Sequence, residues 1–124
     1  MVIGLNLERQ ELYKRIDDRV DIMIEAGLEE EARSIASMGY LLGRKSLASP
    51  GYLEMGLYLS GEISLDEAVQ RTKFQTHRMA RRQHTWFQAQ DTRIHWLPAA
   101  SAGLESQAAA LVEGFLAGGY AVVK

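Results

Sequence analysis

The chain of 124 residues has no cysteine, two prolines and no apolar run long enough to cross a bilayer. Without cysteine there are no disulfides, thiolate zinc sites or thiol catalysis, which is typical of a reducing cytoplasm. Without about 18 consecutive apolar residues, no membrane span is expected. No charged-then-apolar signal sequence stands at the N-terminus. We therefore expect a cytoplasmic protein.

Catalytic and metal-binding motifs are also missing. The sequence has no Walker A loop, no glycine-rich dinucleotide loop and no Ser-His-Asp arrangement. Its histidines are His77, His84 and His95. The first two are seven residues apart, two helical turns, which is too far for joint chelation. The residues themselves predict neither a catalytic centre nor a metal site.

Charge is distributed unevenly along the chain. The formal net charge is only −2. Residues 8–33 nevertheless hold nine acids and five bases, whereas residues 71–82 hold five lysines and arginines and no acid. With 47% apolar residues the chain can form a packed core. The charge asymmetry favours an oriented anionic partner.

Apolar periodicity and capping residues predict a mainly α fold, arranged like a helical bundle in a single domain over residues 1–124. Asn6 is the expected cap of the first helix, which Gly27 ends, and Ser64 with Glu67 forms a capping box. The later helices are expected at residues 29–38, 52–59, 64–89 and 103–116. Short strands are expected at residues 2–5 and 92–97.

Two isolated strands make a poor sheet, which indicates a missing neighbour. If the strands remain without that neighbour, their edges and apolar faces are exposed. We therefore expect the isolated chain to form a homodimer or to exchange strands.

The segment from Thr76 to Gln88 is the most informative part of the chain. It combines arginines with Thr, Gln, His and a Trp-Phe pair, and no acid occurs between Lys73 and Gln90. One interpretation is a basic face for phosphates with groups that meet bases. The other is an ordinary solvated helix face. Trp86 taken alone is more typical of a core residue.

Two further features have alternative interpretations. The loop through Lys45 to Tyr52 is either a plain connection or a tight turn whose donors receive a ligand. Arg15 and Arg19, one helical turn apart, either pair with neighbouring acids or clamp a phosphate or pyrophosphate.

Several segments together resemble the tRNA dimethylallyltransferases, also called tRNA isopentenyltransferases. Their order and spacing match from residue 3 to about residue 97. The matching segments are Ile3–Leu5, Arg9 with Leu12–Met23, Gly27-Leu28 with Glu31, Gly51-Tyr52 with Glu54, Tyr58–Ser64, Thr76 with Arg78, Ala80–Gln83, Thr85–Phe87 and His95-Trp96.

The resemblance implies transfer of a dimethylallyl group from dimethylallyl diphosphate to the exocyclic amine of the adenine 3′ of the anticodon. That nucleotide is flipped into a channel, and Mg²⁺ assists the leaving pyrophosphate. The resemblance also implies tRNA contacts at two segments and a diphosphate contact at Arg15 or Arg19. The tRNA-contacting residues are Ala48, Ser49, Pro50, Gly51, Tyr52 and Leu53, then Arg81, Arg82, Gln83, His84, Thr85, Trp86, Phe87 and Gln88.

The sequence departs from the family pattern in instructive ways. Neither the family's P-loop-like phosphate loop nor its aspartate base occurs here. The inserted helical tRNA-binding region is also absent. The chain therefore resembles the C-terminal part of a P-loop-like α/β transferase, and we expect it to be inactive alone. Gln88 and Leu53 stand where basic residues are common, and Pro50 where an aliphatic one is usual. The alternative is a non-catalytic remnant that binds RNA or protein.

Overall fold

The computed structural model describes residues 1–118 and confirms a mainly helical fold with two short strands. The elements are β1 (Val2–Asn6), α1 (Arg9–Glu25), α2 (Leu28–Ser37), a 3₁₀ turn (Lys45–Leu47), α3 (Tyr52–Leu59), α4 (Leu65–Trp86), β2 (Ile94–Pro98) and α5 (Leu104–Leu116). The chain divides into two compact units. One joins Met1–Glu11 to the described residues from Gln83 onward, and the other is Leu12–Arg82. The single domain predicted from length stays a prediction.

The first unit contains a two-stranded parallel sheet. Its register pairs Val2 with Ile94, Gly4 with Trp96 and Asn6 with Pro98. A Cβ on Gly4 would lie 2.6 Å from the Trp96 ring, so glycine is needed for the indole to pack there. α5, which follows β2 in the sequence, contacts that strand. The two predicted strands therefore pair with each other.

The first helix starts later than its expected cap. Asn6 belongs to β1, and its carbonyl accepts a hydrogen bond from the Ala99 N–H at 2.8 Å. The carboxylate of Glu8 instead accepts the Glu11 N–H at 3.0 Å, immediately before α1. The Gln10 N–H and, to a smaller extent, the Glu11 N–H lower the pKa of Glu8. The expectation of an Asn6 cap was wrong because strand pairing takes that residue.

The second unit packs around a small core of Leu28, Ala32, Met55 and Ala68. α1 turns an apolar face inward, with Val20 buried at its centre. Gly27 has φ +106°, a left-handed turn that ends α1 and leads directly into α2. α2 and α3 contact each other. This core places the loop that precedes α3 beside the end of α1.

Two helix starts in this unit are fixed by side-chain acceptors, a carboxylate at α3 and a hydroxyl at α4. The buried carboxylate of Glu54 accepts the Gly51 N–H at 2.7 Å, which fixes the first turn of α3. At α4, the Ser64 hydroxyl accepts the Glu67 N–H at 3.1 Å, as expected. The Glu67 carboxylate binds Arg71 at 2.6 Å instead of completing the capping box. α4 ends at Trp86, three residues earlier than predicted.

Within the described residues, none of the helices combines the length and the apolar character needed to cross a membrane.

Candidate nucleic-acid interface

The C-terminal end of α4 and the turn after it are exposed without interruption over residues 81–90. In the first unit this stretch contains Gln83 to Gln88, six residues of the predicted tRNA-contacting set. The Trp86 side chain is 83% exposed and Phe87 is 52% exposed. Trp86 is therefore not a core residue, contrary to the interpretation based on residue type alone. An exposed indole beside polar amides is suited to stacking on an unpaired base.

Backbone bonds hold the end of this stretch in a defined turn. The Phe87 N–H donates to the Gln83 carbonyl at 2.8 Å, and the Asp91 N–H donates to the Gln88 carbonyl at 3.0 Å. The Gln88 side-chain oxygen accepts the Gln90 amide at 2.8 Å. The aromatic pair is thus presented from an ordered helix end.

In the second unit, α1 and α4 are joined by an antiparallel ladder of polar contacts. The Lys73 ammonium lies 2.8 Å from Asp21 Oδ1, and His77 Nε2 lies 2.7 Å from Asp17 Oδ1. The His77 ring also stacks on Tyr13, with centroids 4.2 Å apart and an interplanar angle of 8°. One turn further, Arg81 Nη1 reaches the Tyr13 hydroxyl at 3.5 Å. Moving four residues toward the C-terminus of α4 therefore corresponds to moving four residues toward the N-terminus of α1.

The ladder divides the basic groups of α4 into two sets. Lys73 and His77 point toward α1 and have acidic partners there. Arg71 is held by Glu67 within its own helix. Arg78 and Arg82, by contrast, have no hydrogen-bond or ion-pair partner for their side chains among residues 1–118. Part of the basic segment is therefore neutralised inside the fold, and part is available to an external anion.

Sequence reasoning missed the ladder. The acids that balance α4 lie about 60 residues earlier, so no acid within the basic segment itself indicates the pairing. The feature of the sequence that could have indicated the ladder is a spacing of four residues shared by two helices. On the first helix this spacing is occupied by Tyr13, Asp17 and Asp21. Lys73, His77 and Arg81 repeat that spacing on the other.

The predicted loop Ala48–Leu53 lines part of a pocket of about 330 Å³ in the second unit. Ser49, Pro50, Gly51 and Tyr52 form one side of it. The other side is formed by Met23, Ala26, Leu28 and Glu31. Gly51 has φ +105°, which L side chains rarely adopt, so the tight turn expected here is present. Ala48 and Leu53 are exposed and do not line the pocket.

The polar groups of this pocket interact with each other. The Tyr52 hydroxyl donates to Glu31 Oε1. This bond raises the pKa of Tyr52, because the phenol would lose it as a donor on ionisation. A neighbouring pair repeats the pattern, with the Tyr58 hydroxyl donating to Glu29 at 3.0 Å. Arg33, the larger cause, and Tyr58 together lower the pKa of Glu29. Glu31 thus presents an oriented carboxylate to the pocket.

Arg15 and Arg19 are both exposed on α1, in the second unit, and neither lines this pocket. Arg15 has an interaction within the chain. On the same helix, Lys14 Nζ lies 2.8 Å from Asp18 Oδ2. Which of the two arginines contacts a diphosphate stays a prediction.

No group of three or more His, Asp or Glu side chains is arranged to hold a metal ion in residues 1–118. The Mg²⁺ implied by the family resemblance stays an expectation. We assign no reaction step through it.

Comparison with known sequences gives consistent matches. A family model described as IPP transferase matches residues 1–90. A tRNA dimethylallyltransferase of Dehalococcoides mccartyi is 42% identical over 117 residues, which is 94% of this chain and 36% of that protein. The tRNA dimethylallyltransferase 2 of Geotalea daltonii is 47% identical over 106 residues, which is 84% of this chain and 32% of that protein. The chain thus spans about a third of the length of these curated relatives.

Solved structures agree. The tRNA Δ(2)-isopentenylpyrophosphate transferase of Staphylococcus epidermidis superposes with a TM-score of 0.79 at 32% identity, covering 92% of this chain and 36% of that one. The full-length tRNA isopentenylpyrophosphate transferase of Bacillus halodurans gives 0.77 at 35% identity, covering 95% and 38%. The resemblance carried by the sequence motifs is confirmed, and the match corresponds to a C-terminal portion.

Proposed function

The chain belongs to the IPP transferase family, and we propose from this premise that it forms the tRNA-contacting part of a tRNA dimethylallyltransferase. The proposed reaction moves a dimethylallyl group from dimethylallyl diphosphate to N6 of the adenine 3′ of the anticodon. Two separate segments, Ala48–Leu53 and Arg81–Gln88, are proposed to contact the anticodon stem-loop.

The observation that carries this proposal is the exposed end of α4. The Trp86 side chain is 83% exposed. Hydrating its large apolar surface is unfavourable, and a binding partner that covers the indole would remove that cost. An RNA base has a flat face on which the indole can stack. The phosphates on either side of that base carry the negative charge that Arg82, the arginine preceding Trp86, can bind. Gln83 and His84 add hydrogen-bonding groups for base edges. In this proposal, these side chains hold the loop from which the adenine is flipped.

The loop before α3 has a different role in the proposal. Gly51 lets the backbone turn at a positive φ, so that an RNA backbone can approach without meeting a side chain. The Ser49 hydroxyl and the oriented Glu31 carboxylate lie in the same pocket. Both groups can accept hydrogen bonds from the amino and hydroxyl groups of a nucleotide. This assigns positioning, not bond formation, to the residues of the pocket.

Catalysis itself is assigned to residues outside this set. The family's phosphate-binding loop and aspartate base have no counterpart in the 124 residues. We therefore expect no dimethylallyl transfer by the 124-residue chain, although Arg15 or Arg19 can contribute to a diphosphate site. Mg²⁺ and dimethylallyl diphosphate belong to the complete reaction, and a tRNA substrate implies a cytoplasmic location. Transfer of labelled dimethylallyl to tRNA by the pure chain would contradict this assignment.

The binding proposal is tested by titrating the chain with an anticodon stem-loop that has adenine 3′ of the anticodon, at several salt concentrations. Trp86→Ala should weaken binding by about 1–3 kcal/mol if the indole stacks on a base. Leu116→Ala, at another highly exposed apolar residue of a helix end, is the matched control and should leave affinity unchanged. Equal affinities for all three proteins would contradict the proposed interface.

The alternative function is a non-catalytic module that binds RNA or protein through the same basic helix. It is favoured by one observation, the absence of a catalytic motif in the sequence. The two functions are distinguished by assaying the longest natural protein that contains this sequence, for dimethylallyl transfer and for RNA binding. Dimethylallyl transfer by that protein supports the first, and RNA binding without transfer supports the second.

A further inference from the structure

We infer that Arg78 and Arg82 together form a two-arginine site for the backbone phosphates of an RNA strand. This inference rests on the proposed function and deepens it. It adds Arg78, which lies outside the segment that the resemblance assigns to tRNA. It also removes Lys73 and His77 from the set of phosphate-binding groups, although they contribute to the basic composition of the same helix.

The geometry of α4 places the two guanidinium groups on one exposed face. Residues four apart differ by about 40° around a helix and by about 6 Å along its axis. Arg78 and Arg82 are both exposed. His77 lies about 100° away from Arg78 around the helix, on the side that meets Asp17 of α1. The ladder therefore occupies an adjacent side of α4, and the side chains of Arg78 and Arg82 remain exposed beside it.

The two arginines differ from the other cations of α4 in their surroundings. The carboxylates of Asp17, Asp21 and Glu67 are each engaged with another group of the helix. No acid occurs between Lys73 and Gln90, so neither arginine has an acidic neighbour one turn away. Within residues 1–118 no side-chain hydrogen bond or ion pair is formed by either one. Their side-chain donors are therefore unused within the part of the chain that the structure describes.

This arrangement has a cost for the helix. Like charges four residues apart repel and destabilise an isolated helix. No acid in this stretch of α4 offsets that repulsion. A local arrangement that opposes stability without a compensating contact is expected at functional sites. An incoming anion would remove the repulsion and satisfy both guanidinium groups.

The ligand chemistry follows from the side chains and from the shape of the surface. Guanidinium groups bind phosphate oxygens in a bidentate manner. A diphosphate is small and is best held in an enclosed cavity, whereas Arg78 and Arg82 do not line the pocket beside the loop before α3. A pair spaced along an open helix face suits successive phosphodiesters of a strand that runs past it. Such contacts position the RNA and read no sequence.

The test measures binding of the 124-residue chain to an anticodon stem-loop at a series of salt concentrations. The variants are Arg78→Gln and Arg82→Gln. The matched control is Arg71→Gln, which removes the same charged group two turns away, where Glu67 already holds it. Each test variant should lower the magnitude of the slope of log Kobs against log salt by about 0.7–1, while the control leaves it unchanged. Arg78→Gln should keep or raise the Tm, since a repulsion is removed.

The possible outcomes separate this inference from the proposed function. Binding by the wild type with an unchanged slope for Arg78→Gln would overturn the two-arginine site alone. An equal loss of slope for Arg71→Gln would show general surface attraction and would also overturn it. No binding by the wild type at low salt would overturn the proposed function together with this site.

A competition arm distinguishes the two sources of phosphate. Inorganic pyrophosphate is added at constant ionic strength to the complex of chain and stem-loop. We expect no displacement beyond that produced by matched sulfate. Displacement of the stem-loop from the wild type, but not from Arg78→Gln, would assign the pair to a diphosphate and overturn the RNA assignment.

Discussion

Tyr13 and His77 stack face to face, with ring centroids 4.2 Å apart and planes inclined by 8°, although 64 positions separate them in the sequence. The contact joins α1 to α4 in the second unit. His77 also reaches Asp17 at 2.7 Å, so a single side chain makes both a ring contact and a polar contact. Because the pair of helices carries Arg78 on its outer face, the stack sets the orientation of the proposed RNA surface.

Replacing His77 by Ala should destabilise the second unit by about 1 kcal/mol, since a stacked pair contributes about 0.5–1.5 kcal/mol and the polar contact with Asp17 is partly exposed. The measurement is urea unfolding followed by circular dichroism. His84→Ala is the matched control, because His84 is exposed on the same helix. A double-mutant cycle with Tyr13→Ala should show coupling between the two rings. Additive effects would contradict the stacking role.

Replacing Gly4 by Ala should destabilise the first unit by about 1–3 kcal/mol, as over-packing in a core does. The added Cβ would lie 2.6 Å from the Trp96 ring and 2.9 Å from Ile94 Cγ2, and both groups are fixed by the sheet. The readouts are Tm and the fluorescence of the indole. Gly103→Ala is the control, since its Cβ would meet only the Gln107 side chain, at 3.8 Å. Equal Tm values for the two variants would contradict the packing described.

The turn before β2 should make stability depend on acidic pH. Asp91 accepts bonds from the Arg93 side chain at 2.8 and 3.0 Å and from its backbone N–H at 2.9 Å. These bonds lower the pKa of Asp91 from 3.8 to about 2. A lowered carboxyl pKa gives a stabilisation that is complete above 3.8 and is lost as the pH falls through about 2.

Asp91→Asn should therefore flatten the dependence of Tm on pH between about 4 and 2. Arg93→Gln should flatten the same range, because the guanidinium is the largest cause of the shift. Lys14→Gln removes an exposed cation elsewhere and serves as the control. A pH profile of Asp91→Asn that matches the wild type would show that the turn does not contribute.

The two-stranded sheet should promote self-association of the chain. Its only strand pair among the described residues is β1 with β2, so each strand keeps an unpaired edge. Val2 and Leu5 are 48% and 58% exposed. In the same unit, the buried Trp96 Nε1 has no acceptor within the described residues. Multi-angle light scattering should give a dimer, and Leu5→Lys should shift it toward monomer. A wild-type monomer at high concentration would refute this.

The candidate site was only partly predictable from the chain. Residue type and family motifs predict the loop before α3 and the end of α4 as site segments, and in the structure Ser49 to Tyr52 line one pocket. The exposure of Trp86 was misjudged because large aromatic residues are usually well buried. Exposure depends on whether any other element covers that end of the helix, and local sequence does not contain that information.

What the sequence by itself determined is local. Apolar spacing and glycine turns located the helices within a few residues, because caps and positive φ angles depend on neighbouring residues. Family motifs identified the IPP transferase family. Only the tertiary structure decided that β1 pairs with β2, that Asp21 pairs with Lys73 and that Asp17 contacts His77. These contacts join residues far apart in the chain, and packing of whole elements decides which of many compatible charges and strands actually meet.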